Sequence, residues 1–272
     1  MLQEKAWAAV LSLAAAVALP QAQAADSVTS VDFSDERTLK TLWNNDFGTA
    51  YTVFGTERSR VFLAKILPGK TVPPWRAAAA RIRLRLGTAT FSLPNGESRV
   101  FRAGDVDLAK PDVVQSGGRL EGSQPAYILI VQVPPAESEF LTEKDLPKSM
   151  QGKGEAMPFM YNVYGALSRF AYDSKGFRLR QLFLKEKIKG ISANALTVIT
   201  ASQWKGPTAD EIFWIILAGT ARLKAGGQSF LLQPKTAVRI PRGFPGVYGI
   251  TPLQGRLIAL QVAVSPLKEE TP

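Results

Sequence analysis

From residue 60 onward the chain alternates short apolar runs with turn residues. Arg60 to Ile66, Arg81 to Leu86, Thr88 to Leu93 and Tyr127 to Val133 are rich in Val, Ile, Leu and Phe, and Gly, Pro and Asn punctuate them at near-regular intervals. That rhythm predicts an all-β sandwich or barrel. Pro94-Asn95-Gly96 marks a tight hairpin, because Asn-Gly accepts the positive φ such turns require. The rhythm breaks at Pro134 to Gly154, where two prolines, a run containing Glu137, Glu139, Glu143 and Asp145, and two glycines read as a linker. It resumes at Phe177 and lasts to Val264. Ahead of the strands, Leu39, Leu42 and Trp43 have the i, i+3, i+4 spacing of one helix face, which predicts a short helix over Asp35 to Trp43.

The two strand-rich stretches repeat one another. Gly87-Thr88-Ala89 recurs as Gly219-Thr220-Ala221, Gly96-Glu97-Ser98 as Gly227-Gln228-Ser229, and Ile128 to Val133 as Leu257 to Val262. Trp75 and Trp204 stand 129 residues apart, the same offset as the two Gln-Val pairs. Several matches in the same order argue for a duplicated domain. The expected organisation is residues 25–135 as a first barrel, 136–154 as a linker, 155–265 as a second barrel and 266–272 as a tail.

Residues 1–24 read as a signal peptide. Ala6 to Leu19 is apolar apart from Ser12, and Ala22-Gln23-Ala24 has the small-x-small pattern of a cleavage site. The apolar stretch is shorter than the roughly 20 residues of a membrane span, although Glu4 offsets Lys5 and leaves an uncleaved anchor as the alternative. An exported, periplasmic or secreted protein beginning at Ala25 is expected. The net charge of +10 then suits an anionic lipid surface touched peripherally, an acidic polysaccharide or an acidic protein partner rather than nucleic acid, and solubility alone is a simpler cause of it.

Two zeros in the composition constrain the chemistry most: there is no Cys and no His. Thiol nucleophiles, thiolate sites and imidazole bases are absent, so any metal site would be built from oxygen and would suit calcium or magnesium. Asp105, Asp107 and Asp112 could supply oxygens but lack the spacing of a known calcium loop. Ser202-Gln203-Trp204-Lys205 has a Ser-x-x-Lys spacing without its usual companion motifs, and reads as coincidence.

The second repeat resembles the cupin superfamily. Glu211 heads an apolar strand that ends at Gly219, Leu232-Gln233-Pro234 enters a second motif, and Pro241-Arg242-Gly243 matches its Pro-x-Gly. The resemblance implies two tandem jelly-roll barrels. It also implies that both metal sites are lost. The positions of the family's His-x-His fall on Trp204 and Gly206, and that of its last His on Gly246. In the first copy they fall on Trp75, on Ala77 and on Gln115 or Ser116, with Arg81 near the Glu position and Gly104 as the second-motif glycine. No transition metal and no other cofactor is therefore expected. Trp75, Arg81, Gln115, Trp204 and Glu211 are the candidate ligand-binding residues; no catalytic residue stands out.

Each has a plainer reading. Trp75 and Trp204 could stack on a flat ligand, but an indole also fills an emptied pocket, and filling is favoured. Arg81, Arg83 and Arg85 alternate with Ile82, Leu84 and Leu86, so a strand puts all three guanidiniums on one face. Facing inward they would make an anion site; the favoured expectation is apolar inside and charged outside. The function expected is a non-catalytic exported bicupin that binds a small ligand or serves as an accessory subunit. A metal-free isomerase or lyase using Glu211 in a barrel, and a binder of anionic envelope polymer, are the alternatives.

Overall fold

The structure, a computed structural model, describes residues 27–142, 160–168, 176–183 and 190–265. The expected signal peptide, the tail and the linker beyond Thr142 lie outside the described residues.

Two large antiparallel sheets carry the molecule. In the first, the strands run in the order Met160–Asn162, Asp105–Ala109, Ala80–Arg85, Ala126–Val133, Arg60–Ile66, Gly48–Gly55 and Lys40–Asn45. A four-stranded sheet of Thr71–Val72, Gly118–Leu120, Ala89–Ser92 and Ser98–Phe101 lies across it and makes a barrel. The Asn-Gly turn joins the last two of these pairs: Gly96 has φ +82°, and Leu93 exchanges backbone bonds with Gly96 and Glu97. In the second large sheet the order is Thr29–Asp32, Thr236–Ile240, Glu211–Ala225, Val247–Val264, Ile191–Val198 and Phe177–Phe183. Its two longest strands bend and continue, so that each does the work of two strands of the first barrel. The bend falls at register shifts between Ile216 and Ala221. Gly219 sits there at φ +80°, where a Cβ would lie 2.1 Å from the Arg256 carbonyl oxygen, so no other residue fits.

The alternation of side chains explains why both faces of each large sheet are buried. Ile82, Leu84, Leu129 and Val131 from one sheet and Phe213, Ile215, Leu260 and Val262 from the other belong to a single buried cluster. Phe54 and Phe213 meet across it with centroids 5.9 Å apart. The two barrels are thus packed back to back through aliphatic faces, and the opposite faces line the barrel interiors.

Each barrel is completed by a strand from the other half of the chain. Thr29–Asp32 pairs with Thr236–Ile240 of the second sheet, and Met160–Asn162 pairs with Asp105–Asp107 of the first. Phe33 N–H donating to the Lys235 carbonyl and Gln233 Nε2 donating to Asp32 secure the first exchange. Both strands cross the borders at 135 and 155 drawn from sequence spacing.

The helix expected over Asp35 to Trp43 is a correction. Only Glu36–Thr38 forms a single 3-10 turn, capped by the Asp35 carboxylate accepting from Arg37 N–H; Lys40–Asn45 is a strand. A register shift between Thr41 and Trp43 places Leu42 and Trp43 together against Ala50, Phe62 and Ala64, while Leu39 packs on the core between the barrels, so the three share no face. The described α-helix is instead Val163–Ser168, opened by Asn162 Oδ1 accepting from Gly165 N–H.

Candidate ligand-binding site

Register fixes which positions of the two barrels correspond. Gln132 lies opposite Arg81 as Gln261 lies opposite Trp214, and Val131 opposite Ile82 as Leu260 opposite Ile215. Trp75 pairs with Gln115 as Trp204 pairs with Tyr248. The trio Trp75, Arg81 and Gln115 in the first barrel is therefore replaced in the second by Trp204, Trp214 and Tyr248. Two of the first three positions are polar and all of the second three are aromatic. The barrels have opposite characters for that reason.

In the second barrel the three rings pack against one another. Trp204 stacks on Tyr248 at 5.7 Å and 13°, lies 5.6 Å from Trp214, and meets Phe177 edge-on at 5.3 Å. Trp214 is 1% exposed. These contacts pack the Trp204 indole among three other rings.

The first barrel holds a cavity. Its volume is about 160 Å³. A cavity of about 150 Å³ lined by apolar side chains holds one benzene molecule. Its walls are largely aromatic and aliphatic, with Phe47, Phe62, Phe91, Phe101, Ile128 and Ile130 among them. Into this apolar space project Arg81, Arg83 and Arg85. The expectation that the charged face of this strand points outward is thus overturned. Its aliphatic face is taken up by the second barrel, so the barrel interior is where the guanidiniums must go.

Asp107, on the neighbouring strand, compensates two of them. It receives Arg83 Nε at 2.5 Å and pairs with Arg85 Nη1 at 2.6 Å, with its own side chain 1% exposed. Burial pushes the Asp107 carboxyl up, but the two guanidiniums outweigh burial and hold it below its ordinary value. Arg85 is shifted down by burial against the opposing pull of Asp107, and its guanidinium lies 4.6 Å from the Phe101 centroid. The calcium-ligand reading of Asp107 gives way here to an ion-pair role, and among the described residues no group of three or more carboxylates could hold a metal.

Among the described residues Arg81 has no such partner. Its guanidinium lies 4.5 Å from the centroid of Trp75, and Nη2 donates to Ser138 Oγ at 3.1 Å, while Nε is buried with no partner. Burial, with the like charges of Arg83 and Arg60, lowers its pKa to about 10, which leaves it charged at neutral pH. Gln115 is 3% exposed; its Nε2 reaches the Val113 carbonyl at 3.5 Å, and its Oε1 has no partner. A buried donor and a buried acceptor therefore both border the cavity unsatisfied.

The start of the expected linker closes over this site. Glu139–Phe140 pairs with Trp75–Arg76, and the Phe140 ring meets Phe47 at 5.1 Å and Trp43 at 6.2 Å. Ser138, which the sequence did not single out, is thereby brought to Arg81.

Glu211 lies elsewhere. Its carboxylate accepts from Ser59 Oγ at 2.7 Å and Arg239 Nε at 2.6 Å, on the face that packs between the barrels. It belongs to the contact between the halves and to neither interior. Of the five candidates, Trp75, Arg81 and Gln115 converge; Trp204 and Glu211 do not join them. Arg83, Arg85 and Asp107 complete the site. The alternating arginines were visible in the sequence, but the direction of their face was not.

Two back-to-back jelly-roll barrels on one chain define the two-barrel cupin, or bicupin, fold. Solved structures agree. The chain is similar to a variant of salicylate 1,2-dioxygenase from Pseudoaminobacter salicylatoxidans in complex with gentisate, at TM-score 0.65 and 11% identity over 88% of this chain and 82% of that one. It is similar to procruciferin, the 11S globulin of Brassica napus, at TM-score 0.62 and 11% identity over 91% and 86%. Oxalate decarboxylase of Bacillus subtilis matches at TM-score 0.58 and 14% identity over 87% and 77%. The set spans enzymes and a globulin, and at these identities it establishes the fold alone. No protein-family model and no curated protein sequence matches the chain.

Proposed function

We propose that this protein is an exported, metal-free bicupin that binds a small organic anion in its first barrel without transforming it, the second barrel serving as a filled structural partner. The observation that carries the reading is a buried Arg81 that forms no ion pair among the described residues and stacks on Trp75 at the wall of an apolar, ring-sized cavity. A guanidinium in a low-dielectric pocket attracts a carboxylate far more strongly than one in water, and the apolar walls favour the body of the ligand. Binding rather than turnover is supported by the absence of an available base. The chain has no His or Cys, the one carboxylate among the described residues that border the cavity is committed to two guanidiniums, and Glu211 lies outside it. That two of the similar enzymes are named for organic acids, salicylate and oxalate, is consistent with this class of ligand.

Calorimetry and tryptophan fluorescence with benzoate test the reading. Benzoate is expected to bind the wild type, with Trp75 reporting on occupancy. Arg81→Met is expected to lower the affinity at least tenfold, the size of effect for a lost charge-assisted bond, about 1.5–3 kcal/mol. No detectable binding of benzoate or related ring acids at millimolar concentration would refute the proposal.

A further inference from the structure

We infer that the ligand of the first barrel is a ring acid that also carries a hydrogen-bond donor, a hydroxyl or amino group, and that Gln115 is the residue that selects for it. This rests on the anion-binding reading above and narrows its ligand class. The starting point is two unsatisfied buried atoms at the cavity, Arg81 Nε and Gln115 Oε1; Arg85 Nε and Asp107 Oδ2 also lack hydrogen-bond partners, but their side chains are paired with each other. A buried polar atom without a partner is costly, and such atoms are uncommon in folded proteins. Arg81 Nε calls for an acceptor, which the carboxylate of the ligand supplies. Gln115 Oε1 calls for a donor, which a simple carboxylate cannot supply.

The two atoms are positioned through one element. Trp75 and Gln115 exchange both backbone bonds, Trp75 N–H to the Gln115 carbonyl at 3.1 Å and Gln115 N–H to the Trp75 carbonyl at 2.8 Å. The indole of Trp75 in turn packs on the Arg81 guanidinium. The amide of Gln115 is oriented by its Nε2 facing the Val113 carbonyl, so its oxygen is the end left free. The following glycine allows this approach. A Cβ on Gly117 would lie 1.9 Å from the Val72 carbonyl oxygen, so the chain can pass this close only with glycine there. A cavity of about 160 Å³ admits one ring and its substituents, which bounds the ligand from above. In the second barrel the counterpart of Gln115 is Tyr248, stacked on Trp204.

A site built to bond a substituent discriminates strongly against analogues that lack it, because the site atom is then left buried and unpaired. The experiment is a calorimetric series on the mature protein with benzoate, the three hydroxybenzoates and the three fluorobenzoates, repeated on Gln115→Met. In the wild type one hydroxybenzoate isomer is expected to bind at least tenfold tighter than both benzoate and its fluoro counterpart. In Gln115→Met the ratio between that isomer and benzoate is expected to fall to near one. Benzoate binding with no hydroxyl advantage in the wild type overturns this inference and leaves the anion-binding reading standing. A hydroxyl advantage that persists in Gln115→Met overturns the assignment to Gln115. Failure of every acid in the series removes the anion-binding reading itself. The wild-type series decides the ligand class even if the variant does not fold.

Discussion

Asp107→Asn is the perturbation for which the structure makes the largest commitment. The substitution keeps the shape of the side chain and removes its charge. What remains is a cluster of three guanidiniums from which the carboxylate paired to Arg83 and Arg85 is gone, and those two side chains are only 11% and 9% exposed. Breaking a buried ion pair by removing one partner costs about 3–5 kcal/mol, because the other charge stays buried and uncompensated. For a chain of this size each kcal/mol moves the melting temperature by about 2–4 °C, so a fall of roughly 6–20 °C is expected. Two controls make the argument specific. In Asp107→Asn combined with Arg85→Met one stranded charge is gone, and part of the loss should be recovered. Benzoate should also restabilise the single variant, by about 2.7 kcal/mol at a hundredfold excess over its Kd. The pH dependence has a definite sign. The Asp107 carboxyl is held below its ordinary 3.8, so its stabilisation is present above that value and is lost as the pH falls through the lowered one. The gap between wild type and variant should therefore close in acid. A single variant that melts within 2 °C of wild type at neutral pH, by calorimetry, would refute the reasoning: the guanidiniums would then be solvated, not buried.

Three further outcomes follow from the same geometry. Trp204→Ala should cost about 3 kcal/mol, the low end for a large aromatic because Trp204 is only partly buried, while benzoate affinity in the other barrel is unchanged; thermal melts and calorimetry on one sample check both. Benzoate affinity should be flat between neutral pH and about 9 and fall above about 10, since a bound carboxylate favours charged Arg81 and the empty pocket loses that proton first. Elemental analysis of the purified protein should find no stoichiometric iron, manganese, zinc, nickel or copper, because the chain offers neither imidazole nor thiolate to hold them.

The strands were legible from the sequence where their pattern was local. Arg60–Ile66 falls where its apolar run does, and the turn at Asn95-Gly96 folds as its residue types require. The duplication was legible too, since offsets of 129 to 133 residues relate the matching registers in the two sheets. What failed was inference that depended on what lies beyond a strand. Alternation in Arg81 to Leu86 divided the residues correctly into two faces, but the rule of apolar inside presumes water on the other side. Here the aliphatic face meets a second sheet and the charged face meets a cavity, so neither is outside. Leu39, Leu42 and Trp43 misled for a related reason: their spacing suggests one face, but Leu39 packs on the core between the barrels while a bulge brings Leu42 and Trp43 together against a different cluster. Glu211 was carried to the wrong place because the motif match fixed its strand and not its face, and the inward position belongs to Trp214. Trp75, Arg81 and Gln115 were found because three motif positions of one barrel interior converge in space by construction of the fold.

The exchanged edge strands tie the order of synthesis to the order of folding. Thr29–Asp32 emerges first, yet its partner Thr236–Ile240 is made some 200 residues later. At about 5–20 residues per second that interval is on the order of 10–40 s. Through it the earliest strand has no mate within its own chain, and the first sheet likewise lacks its Met160–Asn162 border until the midpoint has passed. An unsatisfied strand edge is a template for pairing with another molecule. Two nascent copies held close together could therefore trade these segments and emerge as an interlocked dimer, each supplying the other's border. Conversely, a single cut placed between Thr142 and Met160 would leave two fragments that stay clasped, because each retains a strand that belongs to the other's sheet. The chain is in this sense stitched rather than linked, and its halves share one fate.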